Sequence, residues 1–407
     1  MKNILLVAFA CKPNEGSESG VGWNYINLIR EIRPNDNIYV LTWADENQPQ
    51  LLKEFEDKFN FIFIDLDNKY KRLFSKDFTK GLKMMEIFYM LWQKKAMKHI
   101  EKVYGKNFFD IVHHITFVSA TLPSKFIDLN SKFIWGPISS NDLYPYKVGI
   151  NKCEYLKLLI KDTAKKIVRS FSITFKKNLK KSDAIIINTV DIKDKLKINE
   201  NKKVYNISSI GIEKKSLKHS KEKNSKNFTI AFIGEFMSIK NVDLALESFA
   251  LYNKTKNGKS KFYLIGDGEN KDLVKKIINK KNINNDVIQY GWISRNSVLE
   301  KLKNEIDVLL FPTCEKAGMV ILEAMNAGVP IVGLNYGGPK VLSQGNGSEL
   351  VSIINREQII QDLSKALDII FNNYNYYSKE AYKQSEKFYW DYIKEKLKNV
   401  YQEVLDE

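Results

Sequence analysis

Residues 311–330 read FPTCEKAGMVILEAMNAGVP, and no other stretch of the chain says as much in so few residues. The apolar run 308–311 reads as a buried strand; a short loop with Glu315 follows, and from Gly318 an apolar helix runs to about Gly328. Glu315 and Glu323 stand eight residues apart, so Glu315 falls in the loop above the strand and Glu323 about one turn inside the helix. An acid in the buried first turn of a helix rich in Ala, Met, Leu and Ile is costly without a partner. A vicinal diol is a suitable one, because an ionised carboxylate accepts two hydrogen bonds side by side. Between the two acids, the amides of Gly318, Met319 and Val320 form a helix N-terminus, a natural seat for a phosphate. The same spacing also fits a surface acid at 315 and a helix-capping acid at 323, and both readings stand at this point.

That strand is one of five in the second half, at 228–233, 262–265, 287–290, 308–311 and 331–334, separated by helix-length segments. The first half shows the same alternation, with strands at 3–10, 38–42, 61–64, 111–115, 133–135, 184–188 and 204–207 and a helix near 21–32. Alternation of this kind builds parallel sheets with crossover helices. The polar stretch 213–227 reads as a linker, and 388–405 places apolar residues on one helical face. The expected architecture is α/β: a Rossmann-like domain over 1–208, a second over 209–385, and a terminal helix over 386–407. Two such domains in succession leave a cleft between them, and ligands bind at the carboxyl ends of the strands.

Composition narrows the choice. The 407 residues are 44% hydrophobic and 28% charged, a globular balance. Cys11, Cys153 and Cys314 lie far apart without a CxxC pair, which argues against disulfides or a zinc site and fits a reducing compartment. The apolar run at the N-terminus is short and reads as a first strand rather than a signal peptide, and no stretch approaches the ~20 apolar residues of a bilayer span. The net charge of +16 is concentrated: residues 69–106 hold 11 Lys and Arg against 3 Asp and Glu, and 147–181 hold 11 against 2. Apolar residues lie among them, Phe74, Phe78, Phe88 and Trp92 in the first segment and Tyr155, Leu159, Ile167 and Phe171 in the second. Such a surface suits an anionic membrane; solvated lysine is the alternative. No nucleic-acid recognition motif interleaves with the charge.

The order Glu315, Gly318, Glu323, Ala-Met, Gly328, Pro330 resembles the E-x7-E motif of retaining GT-B glycosyltransferases, specifically glycosyltransferase family 4. The resemblance extends along nearly the whole chain. ACKPNEGSESGVGWNY at 10–25, DIVHHITFVSATLP at 110–123 and FIWGP at 133–137 resemble a bacterial subgroup that builds surface polysaccharides. GEFMSIKN at 234–241, LIGDGE at 264–269 and GGP at 337–339 resemble its donor domain, and FYWDYIKEKLKNVY at 388–401 its last helix, which crosses back onto the N-terminal domain.

The resemblance implies roles. Glu323 bonds the donor ribose, Glu315 contacts donor sugar hydroxyls near the reacting carbon, and the Gly318, Met319 and Val320 amides take the diphosphate. Lys240 neutralises the leaving nucleotide diphosphate, and the backbone around Trp292 and Ile293 meets the base. Gly20 and Gly22, in a loop after the first strand, let the backbone approach the diphosphate. His113 and His114 match the subgroup's paired histidines as acceptor contacts, with His114, Glu315 and Lys240 as the catalytic set; a structural histidine is the alternative for either. Two positions depart from the family: Glu235 stands where Arg is usual, and no His ends the strand at 133–137. The implied chemistry is retaining transfer from a nucleotide diphosphate sugar, without metal or other cofactor, to a glycan or undecaprenyl-diphosphate-linked acceptor. The implied location is the cytoplasm, at the inner face of the membrane. A sugar-nucleotide epimerase or an inactive glycan-binding paralogue is the rival on the same fold. A dinucleotide oxidoreductase fits poorly, since Gly266-Asp-Gly268 lacks the third glycine.

Overall fold

The computed structural model describes the chain apart from residues 14–16, 45–51, 67–81, 118, 120–121, 139–144, 146–147, 149–151, 190, 215–227, 316–317 and 406–407. Phe74, Phe78, Gly16 and most of the polar stretch 213–227 therefore lie outside the described residues. In chain order the elements are β1 (Asn3–Val7), α1 (Ser17–Ile32), β2 (Asn37–Trp43), β3 (Asn60–Ile64), α2 (Leu82–Val103), β4 (Ile111–His114) and β5 (Lys132–Ile138). Then come α3 (Lys152–Phe171), α4 (Ile173–Lys181), β6 (Ala184–Ile187), α5 (Asp191–Lys195) and β7 (Val204–Asn206). The second half continues with β8 (Phe228–Ile233), α6 (Val242–Thr255), β9 (Ser260–Ile265), α7 (Lys271–Lys280), β10 (Val287–Gly291), α8 (Arg295–Asn304) and β11 (Val308–Leu310). It ends with α9 (Met319–Asn326), β12 (Ile331–Leu334), α10 (Gly337–Ser343), β13 (Ser348–Val351), α11 (Arg356–Asn372), α12 (Tyr374–Ser385) and α13 (Trp390–Leu405).

Contacts divide the chain into two compact units. One comprises Met1–Asp142, Lys161–Ser209 and Ile393–Glu407; the other comprises Leu143–Ile160 and Ile210–Tyr392. Each is built on one sheet whose strand pairs all run parallel. The first has the order β3-β2-β1-β4-β5-β6-β7 and the second β10-β9-β8-β11-β12-β13. Parallel sheets carry helices on both faces, so their strands are continuous apolar runs: Ile4 to Val7 in β1 and Val308 to Leu310 in β11 are fully buried. In both sheets the chain order reverses beside the first strand, between β1 and β4 and between β8 and β11. The loops leaving those strands flank a crevice at the carboxyl edge, the topological position where such sheets take ligands.

α1 begins at Ser17, four residues before the expected start, with Glu18 in its first turn, where an acid complements the helix dipole. Gly20 and Gly22 are therefore helical residues and not a loop. Gly22 is buried, and a Cβ there would stand 2.0 Å from the Ala10 carbonyl oxygen, so this glycine lets the helix lie against the chain leaving β1. In α13, Ile393, Leu397, Val400, Tyr401 and Val404 form a buried stripe at helical spacing. The helix is tied into the first unit by Lys394 to Glu31 at 3.0 Å and by Lys396 Nζ to the Asn206 carbonyl at 3.2 Å.

Candidate functional site

In the second unit, the loops after β8 and β11 are joined by hydrogen bonds. The Cys314 amide donates to the Ile239 carbonyl at 2.9 Å, and Asn241 Nδ2 donates to the Pro312 carbonyl at 2.8 Å. Asn241 holds left-handed backbone, φ 54°, between the short 3-10 turn Ser238–Lys240 and α6, which sets the exit of Lys240. Its ammonium stands 3.6 Å from Glu315 Oε2. At that separation the contact is a loose ion pair rather than a hydrogen bond, so an anion of higher charge can draw the ammonium away. Burial raises the Glu315 carboxyl above its ordinary range; Lys240 opposes the rise and the charge of Glu235 adds to it. The Glu235 side chain thus acts electrostatically on the same site, at the position where the family resemblance expects a cation.

Glu315 is fixed at its backbone as well. Its amide donates to Thr313 Oγ1 at 3.1 Å, and its carbonyl accepts from the Gly338 amide. A Cβ on Gly337, which has φ +58°, would stand 2.4 Å from the Glu315 carbonyl, so the glycine pair of 337–338 is the seat of this loop. Gly318 caps α9, and Gly318, Met319 and Val320 are each partly open to solvent while Ile321 onward is buried. The first amides of a helix have no acceptor inside it, so those of α9 point out of its mouth.

Glu323 lies in the buried part of α9, at 9% exposure. Its Oε1 accepts from Arg295 Nε at 2.7 Å, and the Arg295 side chain, 68% exposed, stands at the start of α8. One carboxylate oxygen is thereby held by a cation, and the acid keeps acceptor capacity for a further donor. Sequence reasoning missed Arg295. The signal available was that a buried acid needs a cation, and an arginine opens the helix after the strand at 287–290, next to the expected base contact. Of that contact, Trp292 is exposed and Ile293 is partly buried against the core. Lys240, Glu315, Gly318, Met319, Val320, Glu323 and Ile293 all belong to the second unit.

Gly20, Gly22, His113 and His114 belong to the first. β4 is an inner strand with both faces covered, so its two consecutive histidines are both fully buried although they point to opposite faces. His113 Nε2 is 2.9 Å from the Gly136 carbonyl, which can only accept, so Nδ1 is the acceptor for the Tyr401 hydroxyl at 2.9 Å. Both ring nitrogens are engaged within the protein, and His113 has none to offer an acceptor substrate. Burial drives its pKa down to about 4 and that of His114 to about 3. His114 Nε2 is engaged by the Tyr89 hydroxyl, whose own pKa burial raises well above the phenol range, with the Glu18 charge adding to it. The imidazole of His114 is thus enclosed in the sheet and held in its neutral form by burial. Glu18 Oε2 accepts from the Phe117 amide at 3.2 Å, joining α1 to the loop after β4. Among the described residues no group of three or more His, Cys, Asp or Glu is arranged to hold a metal ion.

Residues 213–384 match the family described as Glycosyl transferases group 1. An uncharacterized glycosyltransferase of Methanocaldococcus jannaschii is 27% identical over 240 residues, covering 58% of this chain and 60% of the relative. The chain spans less than two thirds of the length of the curated relatives it matches. Among solved structures, Anabaena Alr3699/HepE in complex with UDP has a TM-score of 0.61 at 14% identity, covering 99% of this chain and 100% of that one. The lipopolysaccharide outer core galactosyltransferase WaaB has a TM-score of 0.60 at 15% identity, covering 98% and 99%. At such identities the likeness establishes the fold: the chain is a GT-B protein with two Rossmann-like parallel-sheet domains.

Proposed function

We propose that this chain, whose residues 213–384 match the group 1 glycosyl transferases and whose fold is GT-B, is a retaining glycosyltransferase. The donor is a nucleotide diphosphate sugar, and the acceptor a glycan or undecaprenyl-diphosphate-linked oligosaccharide of surface polysaccharide synthesis, used at the cytoplasmic face of the membrane. The observation that carries this reading is the pairing of Lys240 with Glu315, 3.6 Å apart, in the loop that leads into α9, with Glu323 buried in that helix. The Glu323 carboxylate takes the ribose diol, the first amides of α9 take the diphosphate, and Glu315 takes donor sugar hydroxyls. The acceptor hydroxyl attacks the anomeric carbon on the face the leaving group departs from. The bond from that carbon to the diphosphate oxygen breaks, the bond to the acceptor oxygen forms, and the acceptor proton ends on the departing diphosphate.

Negative charge grows on the leaving diphosphate during this step, and a positioned ammonium favours the transition state more than the ground state. Lys240 is that ammonium, and its loose pairing with Glu315 leaves it available. Positive charge comes from Lys240 and the α9 amides, so the scheme includes no metal ion, and turnover is expected to withstand chelators. The support from other proteins is that Anabaena Alr3699/HepE was crystallised with UDP and that WaaB is a lipopolysaccharide galactosyltransferase.

One observation favours a rival: the Glu235 charge acts on Glu315 and stands where a second cation on the diphosphate is expected, as suits a paralogue that binds glycans without transferring them. Purified full-length chain, offered UDP- and GDP-sugars one at a time, separates the two. Enzymatic release of the nucleoside diphosphate supports transfer. Saturable binding of every donor with no release supports the rival. If any donor reacts, proton NMR of the product must show the donor's anomeric configuration retained.

A further inference from the structure

α8 opens with a residue that its own position does not favour. Ser294 caps the helix, its Oγ accepting from the Ser297 amide at 3.1 Å, so Arg295 is the first helical residue, and no acid stands in that first turn. A cation there opposes the helix dipole, and a side chain 68% exposed gives up rotamer freedom when it is held. A salt bridge with so exposed a partner contributes little to stability. Yet Arg295 Nε reaches from α8 to Glu323 Oε1 in α9, at 2.7 Å, the length of a charge-assisted bond, within one compact unit. Among the described residues no other group bonds the Glu323 side chain, so Oε2 is left without a protein partner although the residue is only 9% exposed. The last torsion of a glutamate is broad, and the flanking Leu322 and Ala324 carry no side-chain donor to stop the carboxylate turning. The bond from Nε supplies that stop: it fixes Oε1, and with it the direction in which Oε2 is offered.

We infer that Arg295 is a positioning residue of the nucleotide site: it holds the Glu323 carboxylate in the orientation that accepts both hydroxyls of a ribose, and so sets the preference for a nucleotide that carries this diol over one that lacks it. This rests on the donor reading proposed above, in which Glu323 takes the ribose. Oε2 and the open side of Oε1 are the acceptors that remain for the two hydroxyls. A guanidinium suits the task better than an ammonium, because Nε carries a single N–H whose direction the plane fixes, whereas the three donors of a lysine rotate. Arg295 acts through Glu323 and makes no contact of its own with the nucleotide. Outer partners that orient the ligands of a metal stand in the same relation to their site, and losing one costs roughly 10- to 100-fold in affinity.

The test is a calorimetric cycle on the full chain, with UDP or GDP, whichever the wild type binds, beside its 2′,3′-dideoxy counterpart. The proteins are wild type, Arg295→Gln, Arg295→Lys, Glu323→Ala and the double variant Arg295→Gln with Glu323→Ala. The quantity read is the ratio of the two dissociation constants, dideoxy over parent, which cancels any loss common to both ligands, including a fraction of protein that fails to fold. Arg295→Gln should lower this ratio by about tenfold, Arg295→Lys should restore at most part of it, and the Glu323→Ala ratio should be the same with or without Arg295→Gln. A wild-type ratio in Arg295→Gln, whatever happens to its melt, would overturn the inference and reduce the contact to charge compensation. Full recovery with lysine would overturn it too, since charge without direction would then suffice. So would a ratio that Arg295→Gln still lowers in the Glu323→Ala background, which would mean that Arg295 meets the diol itself. Wild type indifferent to the diol would remove the donor reading, and this inference with it; wild type that prefers the diol, with the Arg295→Gln ratio unchanged, leaves the donor reading standing.

Discussion

Glu323→Ala tests the donor site at its most buried point. The carboxylate is 9% exposed, and Arg295 occupies one side of Oε1, so the remaining acceptor positions are charged acceptors shielded from water, which the proposal gives to the ribose diol. A hydrogen bond to a charged group contributes about 1.5–3 kcal/mol, and exchange with water at the exposed Arg295 end trims the sum of two such bonds. The net loss on truncation should be about 2–3 kcal/mol, or roughly 30- to 150-fold in Kd. Calorimetry of UDP or GDP, whichever binds, measures this directly. The decisive comparison is with the 2′,3′-dideoxy nucleotide, which offers no diol. Wild-type protein should bind it weakly, and Glu323→Ala should weaken it hardly further, because the lost contact is already missing. Equal losses for both ligands would mean that Glu323 acts on fold or phosphate and not on the pentose, and the reasoning from a buried acid to a diol would be wrong.

The other predictions concern separate parts of the account. Lys240→Ala should lower kcat by about 2–4 kcal/mol of barrier, roughly 30- to 1000-fold, with KM nearly unchanged; a change confined to KM would deny it a leaving-group role. Glu315 has its folded pKa raised by burial, so its ionised form costs stability above that pKa, and the cost disappears as pH falls below the unfolded value. Glu315→Gln should therefore raise Tm at neutral pH, with the gap closing on acidification; a gap independent of pH would contradict the assigned cause. His113→Ala removes two buried hydrogen bonds and leaves a cavity, and should cost about 2–4 kcal/mol in a denaturant melt. An unchanged melt would show that those two hydrogen bonds contribute nothing to the fold.

Most of the sheet was legible because both faces of each strand are covered, which forces continuous apolar runs such as those of β1, β8 and β11. Glu323 stood out for the opposite reason: an acid in an otherwise apolar helix is an anomaly that demands a partner, and the fold supplies Arg295. What stayed hidden was what depends on distant residues. Gly20 and Gly22 looked like a turn because glycine is a poor helix former, yet Gly22 is there for its contact with Ala10. The partners of His113 are Gly136 and Tyr401, the latter 288 residues away, so no local pattern could separate a structural histidine from a ligand. Arg295 reaches Glu323 across 28 residues between two helices, beyond any single motif. In α3 the mixture of lysine and apolar residues was plain in the sequence, but that the apolar side is the outward one follows only from which residues the fold covers.

A crystal structure of the full chain with UDP bound tests the central claim most directly. The account predicts ribose oxygens within hydrogen-bond distance of the Glu323 carboxylate, phosphate oxygens at the amides of Gly318 to Val320, and the Lys240 ammonium turned from Glu315 toward the terminal phosphate. Nucleotide seated elsewhere, with Glu323 still paired to Arg295 and remote from the ribose, would contradict it.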